Sequence, residues 1–208
     1  MNLEHYSWIF KKAIPNHICD EIVAYAKTKI KQKAVTGDFK SNENLNKPEL
    51  KKLHKTRNSD VIWLDDFWIY KEIYPFVQNA NKNANWNFDI HKCEKAQFTI
   101  YEENQHYDWH WDCWKHPYNI PNSPENGLIR KISVTVSLSD LSEYEGGDFL
   151  FDFRDSSPMK KKRIFSYRDL LTKGSILVFP SFLWHKVKPV IKGKRYSLVV
   201  WYLGKPFK

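Results

Sequence analysis

The chain has 208 residues, of which 42% are hydrophobic, 27% charged and 16% aromatic. This length fits one domain, and so high an aromatic content excludes a disordered chain. Lysine and arginine outnumber aspartate and glutamate by 33 to 24, which gives a net charge of +9. That charge is compatible with nucleic acid, an acidic partner or an anionic small ligand, and it selects none of them.

The cysteine pattern and the hydropathy point to a reducing, aqueous compartment. Cys19, Cys93 and Cys113 form no CxxC pair, so neither a disulfide framework nor a zinc knuckle is predicted. No apolar run reaches the roughly 18 residues of a membrane-spanning helix. Residues 1–15 also lack an apolar stretch of signal-peptide length. We therefore expect a soluble cytoplasmic protein without a membrane partner.

Helices are expected in the first part of the chain. Apolar residues recur at helical spacing from Asn16, an N-cap residue, to about residue 31. A second helix is predicted within residues 65–81, where Pro75 should kink it or divide it in two. Residues 36–60 carry Gly, Asn, Pro and Lys and almost no apolar side chains, which predicts a long mobile loop.

From residue 88 the apolar period changes from that of helices to that of strands. Short strands separated by turns predict an antiparallel sandwich or barrel. A basic run at 159–163 is expected to be a solvated loop. The expected fold class is α+β and mainly β, one domain over 1–208 with helical support in about 1–87 and a β-core in about 88–208. The predicted strands are residues 96–101, 132–138, 149–153, 175–179 and 196–201.

His110 and Asp112 stand two residues apart in a strand-like stretch. Their side chains are therefore expected on one face, with Trp111 pointing away. A third metal ligand can come from His185, far along the chain. Two histidines and one carboxylate form the ligand set of non-haem Fe(II) oxygenases. The His-x-Asp pair alone is a weak signal, because it occurs by chance in many proteins.

Arg195 stands at the start of the last predicted strand, ten residues after His185. A guanidinium there can bind a carboxylate with two hydrogen bonds, as an anionic co-substrate on the metal would require. Taken alone, Arg195 is better explained as a surface residue beside Lys192 and Lys194; combined with the three metal ligands, the carboxylate clamp is favoured. His106 is ambiguous because it lies near the motif. The other histidines are expected to be ordinary surface or core residues: His5, His17, His54, His91 and His116.

Four blocks of sequence follow one another in a set order and spacing. They are residues 97–101 with 105–112, 145–149, 174–181 with 185–190, and 193–198. In this order they resemble the prolyl 4-hydroxylase-like iron(II)/2-oxoglutarate dioxygenases, most closely the bacterial and phage branch with the PKHD-type hydroxylases. The likeness covers about residues 57–203, and four ordered blocks are far more specific than one motif.

The resemblance implies a double-stranded β-helix (jelly-roll) core flanked by N-terminal helices. It implies Fe(II) bound by His110, Asp112 and His185. It also implies 2-oxoglutarate as co-substrate, with its distal carboxylate on Arg195 and a hydrogen bond from Tyr101.

The resemblance also suggests substrate-binding residues. Tyr107 and Trp201 match aromatic positions that line the peptide pocket of algal-type prolyl hydroxylases, and Arg130 lies near an arginine that contributes there. Packing in the core is an equally good explanation for the two aromatic residues. By the same analogy, the predicted loop at 36–60 occupies the place of a lid over the peptide.

The implied function is hydroxylation of a prolyl residue in a peptide or protein, with O2 consumed, succinate and CO2 released, and ascorbate as reductant. The same chemistry on another side chain, a free amino acid or a nucleobase stays open, as does a non-catalytic metal-binding protein on this fold. The intact ligand set and Arg195 argue against the non-catalytic protein. Scattered lysines argue against nucleic acid. The Lys- and Asn-rich composition favours a phage or bacterial source.

Overall fold

The computed structural model describes residues 3–36, 45–153 and 163–207. Within these ranges the helices are α1 (Asn16–Lys27), α2 (Lys47–Thr56) and α3 (Phe67–Asn83), with a 3-10 turn at Arg168–Leu170. The strands are β1 (Trp8–Phe10), β2 (Gln32–Lys33), β3 (Arg57–Asn58), β4 (Asp60–Leu64), β5 (Lys92–Cys93), β6 (Ala96–Tyr101), β7 (His106–His110), β8 (Ile129–Ser137), β9 (Tyr144–Gly146), β10 (Phe149–Asp152), β11 (Ile164–Ser166), β12 (Ile176–Pro180), β13 (Trp184–Val187), β14 (Val190–Gly193) and β15 (Arg195–Gly204).

Most of these strands form two antiparallel sheets. The larger sheet has the order β1-β12-β8-β15-β6-β4-β2, with β5 beside β15, and the smaller has the order β11-β10-β13-β7-β3. From β6 onward the chain passes back and forth between them: β6, β8, β12 and β15 lie in the larger sheet, and β7, β10, β11 and β13 in the smaller. This winding is the predicted double-stranded β-helix, and all five predicted strands are present.

Alternation along the central strands gives the larger sheet two different faces. In β8, Ile132, Val134 and Val136 point into the core beneath the helices, whereas Ser133 and Thr135 are buried on the opposite face. Since side chains alternate across a strand, the sequence itself separates an apolar face from a small, polar one. Thr135 on this polar face lines the pocket that contains the three predicted metal ligands, and Ser133 donates a hydrogen bond to Asp112.

Two apolar clusters hold the fold together. The first joins the helices to the outer face of the larger sheet, and the second fills the space between the sheets. The first includes Ile22, Ala26, Ile69, Ile73, Val77, Phe98, Val134 and Leu198. The second includes Tyr101, Phe149, Phe151, Leu177, Phe179 and Val187.

The prediction of a long loop at 36–60 is wrong over its second half. Residues 47–56 form α2, and β3 and the start of β4 follow directly. The helix begins with a reciprocal capping box, in which the Asn46 side chain accepts from the Glu49 amide and the Glu49 carboxylate accepts from the Asn46 amide. Such a cap satisfies two amide groups and stabilises a helix that buries only Leu53. Residues 37–44 of the predicted loop lie outside the described residues.

The helix boundaries also differ from those predicted. α1 ends at Lys27 rather than near residue 31, and Ile30 is 82% exposed instead of packing on the core. α3 continues through Pro75 as one helix. Proline removes one backbone hydrogen bond, but Ile73 and Val77 on either side are fully buried against the sheet, which holds both turns in place.

Strands are also present before residue 88, where only helices were expected. β1 pairs with β12 and β4 pairs with β6, so the N-terminal part extends the larger sheet at both ends. The predicted basic loop at 159–163 lies outside the described residues except for Arg163. None of the helices in the described part of the chain combines the length and apolar character needed to cross a bilayer.

Candidate metal centre and co-substrate pocket

Three predicted ligands meet at one end of the β-helix. His110 ends β7, His185 lies opposite it on β13, and Asp112 follows two residues beyond β7. One ligand atom from each lies within 4.8 Å of the other two. The Nε2 of His110 lies 3.8 Å from Asp112 Oδ1, and the Nε2 of His185 lies 3.5 Å from Asp112 Oδ2. The predicted convergence is therefore present.

The turn after β7 places the carboxylate. Asp112 lies beyond the strand, and its backbone N–H donates to the Ser181 carbonyl at 2.8 Å. Trp111 is 43% exposed and packs against Trp184, so it points away as predicted. The strand alternation thus identifies the two ligands, while the contact with the β12–β13 turn fixes where the second one lies.

Backbone carbonyls orient both imidazoles. The Nδ1 of His110 lies 2.7 Å from the Asp108 carbonyl, and the Nδ1 of His185 lies 2.9 Å from the Leu183 carbonyl. A carbonyl oxygen only accepts, so Nδ1 carries the proton in each neutral ring and Nε2 keeps its lone pair. Both Nε2 atoms face the carboxylate, which is the arrangement a metal ion requires.

The protonation states also suit metal binding. Burial, followed by the field of His185, holds the pKa of His110 well below its ordinary value. Burial alone would raise the pKa of Asp112, but His185, His110 and Arg130 outweigh it and lower that pKa. Ser133 Oγ also donates to Asp112 Oδ2 at 2.7 Å. An ionised carboxylate beside an unprotonated imidazole is the form that coordinates a metal, and this donor set suits non-haem Fe(II).

The three ligands line a pocket, and the buried Arg195 lines the same pocket. It is 2% exposed, pairs in register with Tyr101, and has its guanidinium 5.5 Å from the Tyr101 ring. Its Nη1 donates to Ser197 Oγ at 3.3 Å. Among the described residues, no carboxylate lies within ion-pair distance of Arg195. The alternative of a solvated surface residue is therefore wrong, since this cation is buried and free to receive an anion.

A groove of about 860 Å³ opens next to this pocket. The groove and the pocket share Tyr107, Asp112 and Trp201 as walls. The Tyr107 ring stacks on His110, with centroids 3.4 Å apart. A molecule in the groove would therefore lie directly beside the metal centre.

The third predicted substrate residue, Arg130, lies in the wall of the groove in an ion pair. It donates two hydrogen bonds to Glu94, at 2.7 and 2.6 Å, and its guanidinium lies 3.8 Å from the Trp201 ring centroid. The Tyr118 hydroxyl donates to the same carboxylate at 2.7 Å. Arg130 is thus neutralised within the protein and braces Trp201.

Several residues at this site escaped the sequence analysis. Glu94 pairs with Arg130 across 36 residues, a separation that leaves no local signal. Arg57 lines the groove from within the segment predicted to be a loop. The role of His106 was ambiguous in the sequence. Its Nε2 lies 3.1 Å from the Lys55 carbonyl oxygen, and it is not part of the metal cluster.

Comparison with known proteins agrees with this geometry. The sequence profile of the 2OG-Fe(II) oxygenase superfamily matches residues 96–203, just over half of the chain. A PKHD-type hydroxylase of Idiomarina loihiensis is 34% identical over 108 residues, which is 51% of this chain and 41% of that protein. The chain thus aligns with about two fifths of the length of the curated relatives it matches.

Solved structures show the same fold over nearly the whole chain. The viral collagen prolyl hydroxylase of Paramecium bursaria Chlorella virus-1, solved with 2OG, superposes with a TM-score of 0.62 and 18% identity over 97% of both chains. A prolyl-4-hydroxylase of Pseudomonas putida gives a TM-score of 0.62 and 16% identity over 98% of this chain and 95% of that one. Matched over half its length by the superfamily profile, the chain belongs to the 2OG-Fe(II) oxygenase superfamily.

Proposed function

We propose that this protein is an Fe(II)- and 2-oxoglutarate-dependent dioxygenase that hydroxylates a prolyl residue in a peptide or protein. The observation that carries the proposal is the cluster of His110, Asp112 and His185, with both Nε2 atoms facing the carboxylate. Beside it lies the buried Arg195, which has no carboxylate partner among the described residues. A metal site and an anion site in one pocket match the needs of a co-substrate that chelates the metal and carries a second carboxylate.

Each group in the pocket has a distinct task. His110, Asp112 and His185 would hold Fe(II), and Arg195 with Tyr101 would bind the distal carboxylate of 2-oxoglutarate. When bound, Fe(II), O2 and 2-oxoglutarate supply the oxidising chemistry, which yields succinate, CO2 and a hydroxylated carbon, with ascorbate keeping the iron reduced. The protein orients these groups through its backbone carbonyls and excludes water with buried aromatic rings.

The groove supports a peptide substrate. Tyr107 and Trp201 present aromatic surfaces next to the metal centre, and a proline ring packs well against such faces. Arg130 packs on the Trp201 ring in the same wall and holds it in place. The viral and Pseudomonas putida structures that share this fold are named as prolyl hydroxylases, which agrees with a prolyl substrate.

Succinate production tests the proposal. The protein is supplied with Fe(II), ascorbate and 2-oxoglutarate, and peptides that differ only in Pro or Ala at one position are compared. We expect succinate and a gain of one oxygen atom in the proline peptide alone, and no product with Asp112→Ala. Asp89→Ala, which removes an exposed carboxylate, is the matched control. Equal oxidation of the alanine peptide would contradict a prolyl substrate, and no succinate with any peptide would contradict the enzyme class.

A further inference from the structure

Three arginines line the metal pocket and the adjoining groove, and they differ in how their charge is balanced. Arg57 and Arg195 are buried, and Arg130 is partly buried. Arg130 is neutralised by Glu94. Arg195 has no carboxylate partner among the described residues and is assigned above to 2-oxoglutarate. Arg57, which is 6% exposed, also has no carboxylate within ion-pair distance in the described part of the chain. One buried arginine therefore remains without an assigned anion.

The hydrogen bonds of Arg57 leave one nitrogen unused. Its Nε donates to Ser59 Oγ at 3.1 Å and its Nη1 donates to the Val35 carbonyl at 3.2 Å. Its Nη2 is buried and has no hydrogen-bond partner within the described ranges of the chain. The neighbouring acid, Asp60, is already paired with Lys33 at 2.8 Å. A buried cationic donor without a partner is costly, which favours a site that an anion completes.

The surroundings of Arg57 place its side chain at the groove. Arg57 lines the groove together with Tyr107 and Asp112. Its guanidinium lies 4.5 Å from the Tyr107 ring centroid, and the same ring stacks on His110 at 3.4 Å. A single tyrosine thus contacts both the unpaired cation and a metal ligand. The separation that matters for a substrate is the one between the Arg57 guanidinium and the metal ligand His110, which both contact this ring. One or two residues of extended chain, at about 3.5 Å each, span such a separation.

The other charges of the groove favour an anion as well. Lys115 adds a cation to the two arginines of its lining, whereas Asp112, the acid there, belongs to the metal cluster. Because the charge of Arg130 is already neutralised by Glu94, Arg57 is the better carboxylate receptor of the two groove arginines. A planar guanidinium suits a carboxylate particularly well.

We propose that Arg57 binds a carboxylate of the substrate within one or two residues of the hydroxylated position, so that the enzyme selects acidic substrates. The proposal rests on the proposed function, because it defines the substrate of that same site. The carboxylate has two possible sources: an acidic side chain next to the target residue, or the α-carboxylate of a chain that ends there.

Two pairs of fluorescent proline peptides separate these sources. In the first pair, Asp or Asn stands beside the proline within an otherwise neutral, blocked peptide. In the second pair, a neutral peptide ends one residue after the proline with a free or an amidated C-terminus. Binding to the Fe(II)- and 2-oxoglutarate-loaded protein is measured by anisotropy without oxygen, and succinate formation is measured separately. We expect at least about tenfold tighter binding of the charged member in one pair.

Arg57→Gln should reduce that preference to within about twofold, whereas Arg57→Lys should retain part of it because the charge stays. Arg163→Gln, which removes an exposed arginine, is the matched control and should keep the full preference. Equal binding of both members of each pair by the wild-type protein would overturn the proposal, and this comparison needs no variant to fold. A preference that Arg57→Gln retains would overturn it too.

The two readouts distinguish this proposal from the proposed function. Tighter binding of the charged peptide without succinate formation would contradict the dioxygenase assignment and leave the role of Arg57 supported. Succinate formation from both members of each pair with equal affinity would support the dioxygenase and contradict the role of Arg57.

Discussion

At the residue scale, metal binding should depend on three side chains. His110→Ala, Asp112→Ala and His185→Ala should each abolish or greatly weaken Fe(II) binding, because each removes one of three donors. Anaerobic titration calorimetry measures the affinity. Asp112→Glu should also bind poorly, since an added methylene displaces the carboxylate beyond the tolerance of about 0.2 Å for a metal ligand. Full affinity in any of the three alanine variants would remove that residue from the ligand set.

Arg195 should determine the affinity for the co-substrate but not the affinity for the metal. Losing a charge-assisted pair in a buried site costs roughly 2–5 kcal/mol, which is about one and a half to three and a half decades in affinity. Arg195→Ala should therefore bind Fe(II) normally and show a much higher KM for 2-oxoglutarate. Arg195→Lys should recover part of the loss, because an ammonium lacks the planar fork.

Lys192→Ala provides the control for this prediction. Lys192 is an exposed cation three residues away, and its removal should leave the KM for 2-oxoglutarate as it is in the wild type. An unaltered KM in Arg195→Ala would overturn the co-substrate assignment and leave a metal site of unknown chemistry.

Trp201 should affect the peptide more than the co-substrate. Trp201→Phe keeps an aromatic ring but weakens the stacking with Arg130, an interaction of roughly 0.5–2 kcal/mol when desolvated. The KM for a proline peptide should rise. The rate of 2-oxoglutarate turnover without peptide should fall by a smaller factor. Steady-state succinate assays with and without peptide measure both. An equal loss in both assays would mean that Trp201 serves only as core packing.

At the element scale, the turn before β10 positions Arg195. Gly147 has a φ of +61°, and a Cβ there would lie 3.1 Å from Arg195 Cδ. Gly147→Ala should cost about 1–2 kcal/mol of backbone strain and raise the KM for 2-oxoglutarate by up to about tenfold through misplacement of the guanidinium. Gly127→Ala is the matched control, because its φ is +78° but its Cβ would meet no atom within 4 Å. A similar KM in both variants would show that Gly147 does not support the clamp.

The elements that were predicted well from the sequence are those whose own residues show the hydrophobic pattern that stabilises them. β8 and β15 alternate or remain apolar over many residues, so their position and faces follow from the local pattern. α2 was missed because its ten residues bury only Leu53 and its start depends on a side-chain cap. Pro75 was expected to kink or divide α3, because the packing that keeps the helix continuous comes from the distant sheet.

The residues of the candidate site also fall into those with a local sequence pattern and those that depend on distant contacts. His110 and Asp112 are close in sequence and were identified from strand alternation. His185 and Arg195 were candidates from their positions beside predicted strands, and the resemblance implied the same roles for them. The remaining groups depend on contacts between distant segments: the Glu94–Arg130 pair and Arg57 carry no local pattern. Whether a buried arginine is neutralised or available follows only from the positions of acids elsewhere in the fold.

At the scale of the whole molecule, the N-terminal segment packs on the β-helix and extends its larger sheet. α1 and α3 cover the outer face of the larger sheet, β1 pairs with β12, and β4 pairs with β6. Burying one large aliphatic side chain contributes roughly 1.5–3 kcal/mol. Several such side chains on the sheet, among them Val134 and Leu198, are fully buried under these helices.

We therefore expect a fragment of residues 88–208 not to fold by itself, although it contains all the predicted metal ligands and Arg195. Without the helices, the apolar face of the larger sheet would meet water, and β6 would become an open edge that invites aggregation. Thermal unfolding followed by near-ultraviolet circular dichroism should show a cooperative transition for the full chain and none for the fragment. Co-expression with residues 1–87 should restore the transition in part, because the missing surface is then supplied in trans. A cooperative transition in the fragment alone would contradict the single domain and make residues 1–87 an independent unit.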